Sequence, residues 1–166
     1  MTCQNATGED LRKTIGYGTC FVALLDGKVI GTTSVNFVNL NRWWSKKQSV
    51  AYYSNTAVLP EFRGTDVYIE MTKLMSNFVK ESGVRLHQFN TAEQNKAVIK
   101  MNERFGYKKV QYSATGKGAD YYSVIMCKWD DGCPYSDRFC NFMFKLSRFV
   151  VKALWKPGYK FRYWIN

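Results

Sequence analysis

The chain has 166 residues, the size of one globular domain, and its 46% hydrophobic and 22% charged side chains are enough for one core plus an appendage. Lys and Arg total 24 against 13 Asp and Glu, a net charge of +11 that points either to polyanions such as nucleic acid or anionic lipid, or to a soluble basic surface. Five cysteines form no CxxC pair and stand with one histidine, His87, which argues against a zinc site and for reduced thiols in a cytosolic compartment.

No apolar signal core opens the chain, and no stretch is long and charge-free enough to span a bilayer. Asn5-Ala6-Thr7 fits a glycosylation sequon, a pattern common by chance. Residues 1–17 form a short polar segment with at most one small helix, over residues 9–15. Next, TCFVALL and VIGTTSVNFV flank Asp26-Gly27, a strong hairpin pattern. The polar and aromatic loop NLNRWWSKKQ leads to a third strand, SVAYYSNTAVL. After VLPEFRGTD, a helix is predicted in which Val67, Met71, Leu74, Met75 and Phe78 recur at helical spacing until Gly83 stops it. VRLHQFN reads as a strand, and NKAVIKMNERFGY as a helix with Val98, Ile99, Met101 and Phe105 on its apolar face and Gly106 as its stop. KKVQYSA and DYYSVIMCKW form a final strand pair around Gly116-Lys117-Gly118. A hairpin, then strand-helix-strand-helix, then a second hairpin is an α+β order.

Residues 18–129 resemble the GNAT N-acetyltransferase superfamily. VLPEFRGTDVY looks like its acetyl-CoA pyrophosphate loop, V-x-P-x-x-R-G-x-G-x-G, and NKAVIKMNERFGYKKV looks like its later segment N-x-x-A-x-x-x-Y-x-x-x-G-F. The resemblance implies a central mixed, mostly antiparallel sheet flanked by helices. It also implies acetyl-CoA as cofactor, if the chain is active, and otherwise none, with contacts at Val58, Arg63, Gly64, Thr65 and Asn95. The Val58 backbone N–H would polarise the thioester carbonyl.

Three features depart from that pattern. Asp66 and Tyr68 stand where the loop has glycine, although phosphate needs close backbone approach; Thr65 or Asp66 could instead cap the helix. Asn102 occupies the position of the usual proton-donating tyrosine, and an amide is no acid near neutral pH. The third strand contains no carboxylate to act as base; Tyr52 or Tyr53 could substitute as the base, although aromatics on a strand are more often core or sheet-face residues, and His87 reads as a packed or surface residue. Asn95 is equally a helix N-cap. Too few residues precede the first hairpin for the strand and two helices that relatives carry there, so the acceptor side is expected to be open or built by another chain.

Residues 130–166 form a basic aromatic extension with a helix predicted at about 136–155, stopped by Pro157-Gly158. Arg138, Asn141, Lys145, Arg148 and Lys152 share one stripe, and the rest of the helix is so apolar that it must be buried against its own sheet, in a partner or at a membrane interface. Arg138, Lys145, Arg148 and Lys152, with Lys156, Lys160, Arg162 and Trp164 of the terminal GYKFRYWIN region, are candidate contacts to a protein partner or nucleic acid. Two functions stay open: a degenerate GNAT-fold protein used for binding or assembly, as in internal proteins of phage particles to which the family contributes, or an active N-acetyltransferase acting on an amine. The first places the chain in a reducing cytoplasm or inside a virus particle. Peripheral membrane association is a weaker third reading, and no metal is expected.

Overall fold

A computed structural model describes residues 19–115 and 121–154. The anticipated short helix at 9–15, the Gly116-Lys117-Gly118 turn, the Pro157-Gly158 stop and the candidates Lys156, Lys160, Arg162 and Trp164 lie outside the described residues. The chain divides between Arg85 and Leu86 into two compact units.

In the first unit, strands β1 (Thr19–Leu25), β2 (Lys28–Asn39) and β3 (Ser49–Val58) form an antiparallel meander, followed by a 3-10 turn at Pro60–Phe62 and helix α1 (Val67–Glu81). Asp26 (φ 49°) and Gly27 (φ 77°) both adopt the left-handed region that a two-residue hairpin needs, and Leu25 pairs directly with Lys28. α1 buries Met71, Met75 and Val79, one position per turn, while Phe78 packs on Phe21 and Phe37 with ring centroids 5.6 and 6.0 Å away. Leu74, expected on that apolar face, is 60% exposed because it falls outside the stripe. At Gly31 of β2 a Cβ would lie 2.9 Å from Met71 Cε and 3.2 Å from Val67 Cγ1, so glycine is what lets α1 approach the sheet. The loop between β2 and β3 contributes more than a connection. Trp44 is fully buried, and Ser45 Oγ holds the turn by donating to the Leu40 carbonyl and accepting the Arg42 N–H.

The second unit contains β4 (Leu86–Ala92), α2 (Lys96–Arg104), β5 (Lys108–Thr115), β6 (Tyr121–Trp129) and α3 (Asp137–Leu154). β6 pairs antiparallel with both β4 and β5, and its run Ser123 to Cys127 is buried throughout, as a strand covered on both faces must be. Ile99 of α2, Tyr112 and Ala114 of β5, Val124 and Met126 of β6 and Val151 of α3 make one core, with Phe89, Tyr107 and Phe144 packed against it. The α+β order anticipated from the sequence is therefore the order observed.

On α2 the expected apolar face needs correction, and on α3 the chain itself buries only part of the apolar surface. On α2, Phe105 at the C-cap is 42% exposed and Asn102 is the residue turned inward beside Ile99. On α3, only the stripe through Cys140, Phe144, Ser147 and Val151 turns toward the protein, whereas Phe149 (74%), Leu154 (62%) and Phe142 (59%) remain open to solvent. A sheet face covers one stripe of a helix, and α3 carries more apolar side chains than one stripe can hold. Ser147 fixes the helix on β5: its Oγ accepts the Tyr112 N–H (2.9 Å) and donates to the Phe144 carbonyl (2.8 Å).

Candidate functional site

The loop after β3 begins with a distortion of the strand itself. The β2–β3 register shifts between Thr32 and Ser34, opposite Asn55, whose φ of 52° is left-handed. Thr32 Oγ1 donates to the Asn55 carbonyl (3.0 Å), and the Thr33 and Thr56 hydroxyls meet at 2.7 Å, so the bulge is held by side chains. The Leu59 N–H then donates to the Ile30 carbonyl (2.9 Å), and Pro60 starts the 3-10 turn, with the Arg63 N–H on the Pro60 carbonyl (3.2 Å).

Gly64 (φ 82°) reverses the chain into α1. Arg63 Nε donates to the Val58 carbonyl (3.1 Å), tying the start of the loop to its end, and Thr65 Oγ1 donates to the Phe62 carbonyl (2.6 Å). Asp66 is the N-cap residue of α1, but no side chain caps the helix. The expectation that Thr65 or Asp66 would cap it is thus corrected: Thr65 spends its hydroxyl on the 3-10 turn, and Asp66 has αR dihedrals (φ −74°, ψ −5°) instead of the extended ones that a capping side chain favours. The first N–H groups of α1 therefore have no side-chain acceptor, and the positive helix end is open to an anion. The exposed Asp66 carboxylate sits at this same end, and half-buried Tyr68 stands on the first turn. The loop accordingly has a left-handed Gly64 and an uncapped helix start, with Asp66 and Tyr68 at the two positions where the family pattern has glycine.

Asn95 and Asn102 belong to the second unit. Asn95 Oδ1 accepts the Val98 N–H (3.4 Å) as N-cap of α2. Asn102 is 4% exposed; its Nδ2 donates to the Val98 carbonyl (2.9 Å), and its own carbonyl accepts the Phe105 and Tyr107 N–H groups, both at 3.0 Å. Its side chain is thus bonded within its own helix, and the two 3.0 Å bonds are to its backbone carbonyl. His87 is buried, with Nε2 2.9 Å from Asp130 Oδ1, the packed histidine that its strand context implied. In β3, Tyr53 is buried and Tyr52 half-buried.

Sequence patterns gave no sign of a cluster at the end of β4. The buried Tyr112 ring turns its hydroxyl onto Glu93 Oε2 (2.5 Å), Arg148 Nη2 donates to Glu93 Oε1 (2.9 Å) and Lys152 Nζ lies 3.6 Å from Oε2. Burial, the largest single influence, pushes the Glu93 carboxyl up, but the Tyr112 hydrogen bond and the charges of Lys152, Arg148 and Lys96 together hold it below the usual carboxylate range. Burial and the Glu93 carboxylate in turn push the Tyr112 phenol far above its ordinary value. Lys152 also lies over the Tyr122 and Tyr112 rings, at 5.2 and 5.7 Å. Two of the four described candidate contact cations, Arg148 and Lys152, are therefore engaged inside the unit, while Arg138 and Lys145 are exposed. The signal that could have found Glu93 is its position, one residue past a strand and two before a helix N-cap, where a carboxylate is within reach of neighbouring elements.

Among the described residues no three His, Cys, Asp or Glu side chains converge as a metal site would. Among the same residues no helix is long and apolar enough to cross a membrane.

The elements define an α+β fold of the acetyltransferase type, and the comparisons identify its family. The Acetyltransferase (GNAT) family model matches residues 4–107, more than half of the chain, so the chain belongs to the GNAT family. Solved structures agree on the fold. A ribosomal-protein alanine N-acetyltransferase from Escherichia coli superposes with a TM-score of 0.60 at 14% identity, covering 78% of this chain and 79% of that one. A ribosomal-protein-alanine N-acetyltransferase from Brucella melitensis gives 0.57 at 18% identity over 73% and 74%. A Salmonella typhimurium protein solved with its cofactor acetyl-CoA gives 0.55 at 18% identity over 77% and 73%. No curated protein matches the chain.

Proposed function

We propose that this chain uses the GNAT fold for binding or assembly instead of acetyl transfer. One observation carries the reading: Asn102, at the position where the family pattern has its proton-donating tyrosine, is buried and bonded to the Val98 carbonyl. An amide is no acid near neutral pH, so it cannot hand a proton to a leaving thiolate. Asp66 and Tyr68 act in the same direction, one adding negative charge where a diphosphate would sit, the other a ring where backbone would approach. Acetyl-CoA binding is accordingly weak.

The binding surface is the outward face of α3, where exposed Phe142, Leu146 and Phe149 adjoin the cations Arg138 and Lys145. So apolar a face fits a protein with an apolar groove rimmed by acidic groups better than it fits nucleic acid, whose phosphates would meet phenylalanines. The free thiols and the +11 charge support a reducing setting beside a polyanion, whether cytoplasm or the interior of a virus particle.

The uncapped N-terminus of α1, with Arg63 and Gly64 in place, favours a second reading: an active amine N-acetyltransferase. In it Val58, Arg63, Gly64 and Thr65 would hold acetyl-CoA. The pair Asp66→Gly/Tyr68→Gly separates the two readings. If the loop is degraded, the double variant, checked for folding by circular dichroism, gains at least about tenfold in acetyl-CoA affinity, roughly 1.4 kcal/mol. An unchanged affinity would overturn the proposal.

A further inference from the structure

Where β6 hands over to α3, two thiols meet. Cys133 is half-buried in the connection and Cys140 is buried on the first turn of α3, with their sulfurs 4.0 Å apart. Both are held on constrained backbone. Pro134 restricts Cys133 to extended conformations. Ser136 caps α3, its Oγ accepting the Phe139 N–H (3.2 Å) and its carbonyl accepting the Cys140 N–H (3.0 Å). Lys108 Nζ, 2.6 Å from Asp137 Oδ1, fastens the same turn to β5. Cys127 is fully buried on β6, its sulfur 3.8 Å from Gln88 Oε1.

We propose that Cys133 and Cys140 are an oxidant-responsive dithiol that closes to an intramolecular disulfide by exchange with a low-molecular-weight disulfide such as oxidised glutathione. Cys133, the more accessible sulfur, attacks one glutathione sulfur as its thiolate; the S–S bond breaks and the other glutathione leaves as a thiol, taking up the proton that Cys133 lost. Cys140 then attacks the Cys133 sulfur of this mixed disulfide, the new S–S bond forms, and the second glutathione departs with the proton from Cys140. The protein loses two electrons and two protons, and one glutathione disulfide becomes two glutathione thiols. Burial, with the neighbouring Cys133, pushes the Cys140 thiol up to about 11, so it does not attack first; its part as the resolving thiol rests on its place 4.0 Å from the Cys133 sulfur. The closed form joins the β6–α3 connection to the first turn of α3 and so fixes the helix that carries Arg148, Lys152 and the exposed Phe142 and Phe149.

The test uses the full chain with Cys3→Ser and Cys20→Ser, equilibrated in glutathione buffers of rising oxidised fraction, alkylated with iodoacetamide and weighed intact and after trypsin. Cleavage after Lys128, Arg138 and Lys145 places the two cysteines on separate peptides, 129–138 and 139–145. The expected result is one species that carries no carbamidomethyl group on Cys133 or Cys140, about 116 Da lighter than the alkylated dithiol form, with those two peptides linked and the melting temperature raised by about 5 °C. Adding Cys140→Ser stops the reaction at a single glutathione adduct on Cys133, whereas adding Cys133→Ser yields no adduct because Cys140 is buried. Glutathione adducts on Cys133 without a 133–140 link in the parent, a link from Cys133 to Cys127, or full reduction at every glutathione ratio would each overturn the proposal.

Discussion

Replacing Glu93 with alanine should loosen α3 from β5. The substitution removes the acceptor of the Tyr112 hydroxyl, whose ring is fully buried, at a 2.5 Å contact. A hydrogen bond to a charged group is worth about 1.5–3 kcal/mol, and the phenol left behind has lost its acceptor in a buried setting. Arg148 and Lys152 add no more than about 1 kcal/mol together, because their side chains are 49% and 41% exposed and water screens them. The expected loss is about 3 kcal/mol, read as a fall of roughly 6–12 °C in the melting temperature followed by far-UV circular dichroism. Tyr112→Phe should cost less, about 1 kcal/mol, because Glu93 keeps its cations and gains water.

The pH profile gives a second readout with opposite signs at its two ends. The folded Glu93 carboxyl lies below its ordinary 4.5, so its contribution is complete above that pH and fades as the pH falls through the folded value, where parent and Glu93→Ala converge. The folded Tyr112 phenol lies above its ordinary 10.0, so its contribution is complete below pH 10 and declines as the pH rises toward the folded value. A Glu93→Ala protein within about 0.5 kcal/mol of the parent at pH 7 would refute this account of how α3 is held.

Gly31→Val forces a side chain against Val67 and Met71 and should cost about 1–3 kcal/mol by overpacking, measured by urea denaturation. Trp44→Ala empties a fully buried site and should cost about 3–5 kcal/mol in the same assay, although its segment reads as a loop. Asn102→Ala loses the bond to the Val98 carbonyl for about 1 kcal/mol, and any acetyl-transfer activity of the parent should be unaffected by it. Phe142→Asp/Phe149→Asp should leave the melting temperature within about 2 °C of the parent, since both rings are exposed. If α3 faces a protein, the parent should not co-sediment with phosphatidylserine vesicles; sedimentation that the double variant abolishes would assign the face to a membrane instead.

The fold was legible where local chemistry and long-range packing agree. Asp26-Gly27 is a hairpin turn by its own backbone preferences, and Gly83 and Gly106 end helices in the left-handed region, each with a positive φ, independent of what packs nearby. Side-chain placement was legible only in part. Asn102 turns inward because its amide finds a carbonyl on its own helix, an option that hydropathy patterns do not weigh. Trp44 is core because Ser45 folds the loop back on itself, and Glu93 is structural because β5 and α3, distant in sequence, bring it a phenol and two cations. The phosphate loop was readable as a motif, yet whether Asp66 capped the helix depended on backbone dihedrals that no motif specifies.

On the proposed reading, acetyl-CoA titrated into the purified chain by calorimetry should give no detectable heat of binding up to millimolar cofactor, since Asp66 and Tyr68 would oppose the diphosphate at the N-terminus of α1. Micromolar binding would contradict the proposal and return the chain to the enzymes of its family, with an amine substrate to be sought.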